Sequence, residues 1–185
     1  MVLFQCKTKD NIEPQGFISA DVDGKDWFKK KSKQGKRKPN FKPYALVYKA
    51  NPLDTFFCNS REISITFGVI DKNIPFAEYV NIYLPKAMLL EGNYKVFNSE
   101  IDNKNEDCSK KQISSLFSIT SEDPPSIRYE LNEKKENLLK ILKIDRQNKY
   151  IEGQFQLNYK LVSPNNEENL DFKNGYFKIY YTIDL

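Results

Sequence analysis

The stretch that decides the fold lies in the last third of the chain, at Tyr150-Ile-Glu-Gly-Gln-Phe-Gln-Leu-Asn-Tyr-Lys-Leu161. Its side chains alternate between an apolar and a polar face. The apolar face carries Ile151, Phe155, Leu157, Tyr159 and Leu161, and the polar face carries Glu152, Gln154, Gln156, Asn158 and Lys160. A repeat of two residues is typical of a β-strand with one buried and one solvated face. Because such strands belong to antiparallel sheets, this stretch predicts an all-β fold.

Similar segments recur along the chain at short intervals. They predict an antiparallel barrel or sandwich of about eight to ten strands, mostly joined by hairpins. The predicted strands are Gly16–Val22, Tyr44–Ala50, Glu62–Ile70, Tyr79–Leu84, Asn93–Phe97, Ile113–Thr120, Ile127–Leu131, Leu138–Asp145, Tyr150–Leu161 and Phe177–Ile183. An Asp23-Gly24 turn follows the first strand, and the polar stretch Ile101–Lys111 is expected to be a hairpin tip.

One segment fits two structures. Residues 133–144 place Leu138, Leu139, Ile141 and Leu142 at helical spacing, with Asn132 as an N-cap. We favour a strand, because polar stretches typical of turns lie on both sides of the apolar run, and the helix is kept as the alternative.

The first fifteen residues lack the strand pattern of the rest of the chain. Residues 1–15 combine a short apolar run ending at Cys6 with a polar stretch, and are interpreted as a residual signal and lipobox followed by a tether. Residues 16–185 are predicted to form a single antiparallel β domain, expected to be a monomer. No run of eighteen apolar residues, the length of a membrane-spanning helix, occurs in the sequence.

The composition excludes several chemistries. The chain contains no histidine, so neither a Ser-His-Asp nor a Cys-His catalytic arrangement can be built. Its three cysteines, Cys6, Cys58 and Cys108, lack the close spacing of zinc ligands. No nucleotide-binding or calcium-loop motif is present, and Asp102, Glu106 and Asp107 lack the spacing of a calcium loop. We therefore expect no metal and no cofactor.

The acidic residues near the first turn give little support to catalysis. Asp21, Asp23 and Asp26 are close in sequence, but an acid–base pair needs one carboxyl whose pKa is raised by burial. Asp21 and Asp23 fall on the face expected to be solvated, and Asp23 belongs to the turn. We expect no catalytic residues.

Two features could bind a ligand. Lys29, Lys30, Lys31, Lys33, Lys36, Arg37 and Lys38 form a basic stretch that is either a solvated loop or a contact for acidic glycans or lipid headgroups. Nucleic acid is not favoured as its partner, since Phe28 and Phe41 only flank the run and the net charge is only +4. Trp27 either covers one end of the core or stacks on a ligand together with Tyr44 and Tyr48.

Several short motifs, in their order along the chain, carry a resemblance. They are Cys6 with its polar tether, Phe17-Ile-Ser-Ala-Asp-Val-Asp-Gly-Lys-Asp-Trp27, Leu90-Glu-Gly-Asn-Tyr94, Ile144-Asp145 with Tyr150-Ile-Glu-Gly-Gln-Phe155, and Asn174-Gly-Tyr-Phe-Lys-Ile179. Across most of its length the chain resembles small Bacteroidota-type envelope lipoproteins of unknown function. The resemblance implies an all-β domain held on the bacterial cell envelope by a lipid on Cys6, and it supplies no catalytic residues.

The chain departs from the lipoprotein pattern at its start. Gln5 stands where a lipobox has a small residue, and the usual basic and apolar signal regions are missing before Leu3. Either the sequence begins inside a signal peptide or Cys6 is an ordinary cysteine. If Cys6 is the anchor, Cys58 and Cys108 are left to form a disulfide or to remain two thiols.

Three functional hypotheses follow. The leading one is a non-catalytic cell-envelope lipoprotein domain with a binding or structural role, and its expected partners are the membrane and an acidic glycan or headgroup. The alternative is a β-barrel that carries a small apolar ligand or glycan. The third is an enzyme that uses carboxylates alone.

Overall fold

The computed structural model describes residues 16–27, 41–49, 63–71, 76–85, 88–98, 113–120, 127–162 and 168–181. Within these residues the chain forms eleven β-strands and no α-helix, which confirms the predicted all-β class. The strands are β1 (Gly16–Val22), β2 (Lys25–Asp26), β3 (Phe41–Lys49), β4 (Ile63–Asp71), β5 (Phe76–Leu84), β6 (Gly92–Asn98), β7 (Ile113–Thr120), β8 (Ile127–Leu131), β9 (Leu138–Asp145), β10 (Tyr150–Leu161) and β11 (Asn169–Tyr180). The strand absent from the sequence-based prediction is the two-residue β2.

All strands join one hydrogen-bonded sheet in the order β2-β1-β11-β10-β9-β6-β7-β5-β4-β3, with β8 paired to both β7 and β10. Because β7 and β10 are also connected through β6 and β9, these five strands close a ring of backbone hydrogen bonds. The far end of the sheet returns to its beginning, since Cα atoms of β3 lie within 8 Å of those of β1 and β11. The result is a barrel-like or sandwich-like domain.

One strand pair differs from the expected hairpin pattern. β6 and β7 pair in parallel, with Val96 opposite Ile113, whereas the remaining pairs are antiparallel. Parallel neighbours cannot be joined by a hairpin turn, because the chain must return to the starting end of the sheet. β6 and β7 are therefore not the two arms of one hairpin, and the predicted hairpin tip Ile101–Lys111 lies outside the described residues.

Two groups of aromatic rings lie in the core, among aliphatic side chains. In the first, the centroid of the Phe67 ring on β4 lies 4.6 Å from that of Phe155 on β10 and 5.9 Å from that of Phe177 on β11. In the second, Phe117 on β7 packs against Phe172 on β11, with their centroids 5.3 Å apart. Because these contacts join strands that are distant in the sheet, they show that the sheet folds over its own apolar face.

A β-bulge explains why only part of β11 was predicted. Phe172 and Phe177 are both buried, although an odd spacing places residues of a regular strand on opposite faces. The pairing with β10 shifts here, from Phe155 opposite Gly175 to Leu157 opposite Phe172. Asn174 adopts a positive φ of 52° at the bulge. The bulge therefore reverses the alternation, so the half of β11 that precedes it was out of phase with the predicted Phe177–Ile183 strand.

A second β-bulge explains why residues 133–144 also resemble a helix in sequence. β9 shifts register against β10 between Lys143 opposite Glu152 and Ile141 opposite Gly153, so Leu142 is the extra residue. This insertion separates the buried Ile141 from the inward Ile144 by three residues, a spacing that imitates a helix. The prediction of a strand at Leu138–Asp145 is confirmed.

Candidate functional site

The outer face of β1, β11, β10 and β9 carries an unusual set of side chains. The strand register aligns them in three rows, with side chains two residues apart along β1, β10 and β11 and three residues apart across the bulge of β9. The rows are Tyr180, Tyr150 and Asp145, then Phe17, Lys178, Glu152 and Lys143, then Ser19, Tyr176, Gln154 and Lys140. We call these eleven residues the aromatic–lysine patch. With strands about 4.8 Å apart, the patch is about 14 Å wide.

Tyr150 lies in the middle of the first row of the patch. Its ring is nearly buried, although it lies on the outer face of β10. The ammonium of Lys178 lies 4.1 Å from the ring centroid, and that of Lys143 lies 5.2 Å from it. The ring of Tyr180 packs against Tyr150 with the centroids 5.7 Å apart. Tyr150 is thus covered by two cations and one ring, an arrangement that orders the lysine side chains through cation–π attraction.

The second row continues this arrangement across β1. Phe17 pairs with Lys178 across the strands, and its ring centroid lies 5.9 Å from that of Tyr176. The hydroxyl of Tyr176 donates a hydrogen bond of 2.9 Å to Oε1 of Glu152. Phe17 is 59% exposed and Tyr180 is 41% exposed. Two large rings are therefore open to solvent beside Lys178, whereas exposed aromatic residues on monomeric proteins are usually scattered singly.

The charges at the edge of the patch are held by local hydrogen bonds. The carboxylate of Asp145 accepts hydrogen bonds from the backbone and side chain of Asn148 and lies 3.3 Å from the ammonium of Lys143. These bonds from Asn148, together with Lys143, lower the pKa of Asp145 to about 2. Interactions with the Tyr150 hydroxyl and with Asp145 raise the pKa of Lys143. Both groups therefore stay charged across the physiological pH range.

The predicted candidate Trp27 lies elsewhere, inside the domain. Its side chain is fully buried, and its ring packs edge-on against Phe172 with the centroids 4.9 Å apart. Its Nε1–H donates a hydrogen bond of 2.8 Å to Oε2 of Glu78. Nearby, burial and the charge of Glu168 raise the pKa of Tyr129 to about 12. Trp27 thus occupies the position of a core cover and presents no open ring face on which a ligand could stack.

The acidic residues near the first turn have structural partners. Asp23 and Gly24 both adopt positive φ, 51° and 75°, between paired residues Val22 and Lys25, so the predicted turn is present. Oδ1 of Asp23 accepts a hydrogen bond of 3.0 Å from the Asp171 amide. Oδ2 of Asp21 accepts one of 2.9 Å from the side chain of Asn174. These bonds tie β1 and its turn to β11.

The remaining predicted candidates lie outside the described residues. They are the anchor Cys6, the thiols Cys58 and Cys108, the acidic Asp102, Glu106 and Asp107, and the basic residues Lys29, Lys30, Lys31, Lys33, Lys36, Arg37 and Lys38. Their roles stay predictions.

Sequence reasoning did not identify the aromatic–lysine patch. The sequence did contain a signal, because Tyr150, Tyr176 and Tyr180 all fall on the polar side of their strands. What it could not supply was the lateral order of β1, β11, β10 and β9, which brings residues from both ends of the chain onto one surface.

In the part of the chain that the structure describes, no cluster of three or more acidic or thiol side chains is arranged to hold a metal ion. No helix among those residues is both long and apolar enough to cross a membrane. No family model matches the sequence, and neither the curated proteins nor the solved structures contain a significant match to it.

Proposed function

We propose that this protein is a non-catalytic binding domain of the bacterial cell envelope, and that it binds polysaccharide on the aromatic–lysine patch. The observation that carries this proposal is the pair of solvent-exposed rings, Phe17 and Tyr180, on either side of Lys178 on a rigid sheet face. A sugar ring offers an apolar face that packs on an aromatic ring, and hydroxyls that need both donors and acceptors.

The patch offers both hydrogen-bond donors and acceptors beside the exposed rings of Phe17 and Tyr180. Gln154 contributes an amide, Lys178 a donor, and Glu152 a carboxylate whose geometry is held by Tyr176. Since these groups stand on neighbouring strands instead of loops, their spacing is set by the backbone ladder. Such preorganisation reduces the entropy lost on binding.

The close packing of the core favours a ligand-binding site on the surface over one inside the domain. The rings of Phe67, Phe155 and Phe177 contact one another across the core, so these inward positions are occupied by protein side chains. A carrier of an apolar molecule would need a cavity of several hundred cubic ångströms. This packing is why the carrier hypothesis ranks second.

The carboxylate of Asp145 favours binding over catalysis. A general acid in a glycosidase has a raised pKa, whereas the hydrogen bonds to Asp145 lower its pKa to about 2. Asp145 is therefore suited to holding Lys143 in place.

The binding site is tested by affinity electrophoresis in native gels that contain neutral or acidic polysaccharides. We expect the protein to be retarded by at least one polymer, and Phe17→Ala combined with Tyr180→Ala to abolish the retardation. Leu90→Ala combined with Val162→Ala is the matched control, because these apolar side chains are at least as exposed on average, at 58% and 52%, and lie outside the patch. Unchanged mobility of the native protein in the whole panel would contradict the proposal.

The envelope location has a separate test. The support for it is the tether-like start of the chain with Cys6 and the resemblance to envelope lipoproteins. The protein expressed from its native gene should fractionate with membranes and incorporate radiolabelled palmitate. The Cys6→Ser variant should lose both properties. A soluble, unlabelled native product would contradict lipid anchoring while leaving the binding site untouched.

A further inference from the structure

We infer that the ligand of the aromatic–lysine patch is a carboxylated polysaccharide, and that Lys178 is the residue that receives its carboxylate. This inference rests on the proposed polysaccharide-binding function. It adds the charge of the ligand and the residue that recognises it.

The surroundings of Lys178 support this role. Among the described residues, its ammonium contacts aromatic rings, 4.1 Å from the centroid of Tyr150 and 5.9 Å from that of Tyr180, and not a carboxylate. The neighbouring Lys143 is instead paired with Asp145 at 3.3 Å. Lys178 is therefore a cation that is held in position while its capacity to pair with an anion is unused. A charge-assisted hydrogen bond to a ligand carboxylate would use it.

The position of Lys178 also defines the shape of the ligand. Phe17 stands directly opposite it on β1, and Tyr180 follows it along the same face of β11. An anion bound at Lys178 therefore gains further contacts when it is attached to a body that packs on the rings at both sides. A sugar acid within a chain has this combination, because its carboxylate projects from the edge of a ring whose faces are partly apolar.

The mixed charge of the patch favours a glycan over a nucleic acid. Glu152 lies opposite both Lys178 and Lys143, and Asp145 lies opposite Tyr150. A phosphate chain crossing these rows would meet two carboxylates, and like charges in close contact repel. A polysaccharide with one carboxylate per sugar can place its anion at Lys178 and its hydroxyls at Glu152.

The experiment compares two forms of one polymer: polygalacturonate, and the same polymer with its carboxylates converted to methyl esters. Affinity electrophoresis and calorimetry should show tighter binding of the native protein to the charged form. Lys178→Gln should weaken that binding by about threefold to tenfold, the range expected for one partly exposed charge pair. Lys178→Arg should restore it, because the charge is kept. Binding of the esterified polymer should be unchanged by Lys178→Gln.

Lys160→Gln is the control, since Lys160 is an exposed lysine at the opposite end of β10. An equal loss for Lys160→Gln and Lys178→Gln would show that net charge alone drives binding, and would overturn the assignment. Equal binding of both polymer forms, with loss only in Tyr180→Ala, would overturn the carboxylate preference but keep the polysaccharide site. Tighter binding of a thymidine oligonucleotide or of anionic lipid vesicles than of polygalacturonate would also overturn the inference. Failure to bind either polymer form, or any other polysaccharide of the panel, would instead contradict the proposed function.

Discussion

At the scale of single residues, two glycines on β10 and β11 allow the aromatic core to close. Gly153 stands opposite Phe177, and Gly175 stands opposite Phe155, so each glycine faces a phenylalanine of the neighbouring strand. A Cβ on Gly175 would lie 2.6 Å from the Phe155 ring, and one on Gly153 would lie 2.5 Å from the Phe177 ring. The absence of a side chain at each glycine thus leaves the space that the opposite ring occupies.

Gly175→Ala should destabilise the domain by about 1–3 kcal/mol, the usual cost of overpacking a core. The substitution also restricts the unfolded chain, which stabilises by about 0.4–1 kcal/mol, but we expect the clash to outweigh this gain. Urea denaturation measures the result. In the Phe155→Leu background the cost of Gly175→Ala should shrink, and Gln154→Ala on the outer face should stay within about 0.5 kcal/mol. Equal costs of Gly175→Ala in both backgrounds would contradict the contact.

Asp145 gives a pH prediction at the same scale. Because its folded-state pKa of about 2 is below the ordinary 3.8, the ionised carboxylate stabilises the fold above about pH 4. That contribution should be lost as the pH falls through about 2. Carbon NMR of the carboxyl group should show a midpoint near 2, and Asn148→Ala should raise it. A midpoint near 3.8 in the native protein would show that the bonds from Asn148 are not formed in solution.

At the scale of elements, a buried asparagine shapes the connection between β8 and β9. Oδ1 of Asn137 accepts a hydrogen bond of 2.7 Å from the amide of Asn158 on β10. Its Nδ2 donates to the carbonyl oxygens of Asn132 and Lys135, each at 3.1 Å. The side chain therefore replaces missing backbone partners, as buried polar groups require. It also ties this turn to β10, where β10 leaves β9 and pairs with β8.

Asn137→Ala should cost about 1–3 kcal/mol, since it leaves the buried amide of Asn158 without its partner, whereas the Asn132 carbonyl keeps its bond from the Lys135 amide. Thermal or urea denaturation tests the cost, and Asn93→Ala, at an exposed position on β6, should change the free energy of unfolding by less than about 0.5 kcal/mol. Hydrogen exchange adds a local measurement. The Asn158 amide should exchange slowly in the native protein and faster in Asn137→Ala, and unchanged exchange would argue against the bond.

The strand pattern was predictable wherever the alternation is regular. Ile113–Thr120, Ile127–Leu131 and Leu138–Asp145 were predicted with the bounds that the structure shows, because turns or prolines separate them clearly. The first half of β11 was missed because the bulge at Asn174 reverses its alternation. A bulge is set by pairing between strands, which a single sequence does not display.

At the scale of the whole molecule, the sheet order converts scattered residues into a surface. Phe17 from the start of the domain and Lys178 from its end become neighbours because β1 pairs with β11. The sequence predicted that these strands have an outer face, but their lateral order depends on contacts between distant segments. The patch could therefore be recognised only once the register of β1, β11, β10 and β9 was known.

We propose the aromatic–lysine patch as the binding surface of this protein. NMR of the isotope-labelled protein, titrated with oligogalacturonate, tests it most directly. The largest chemical-shift changes should map to Phe17, Tyr150, Tyr176, Lys178 and Tyr180, with little change around the buried Trp27. Changes concentrated in the basic stretch of residues 29–38, or around Trp27, would contradict it.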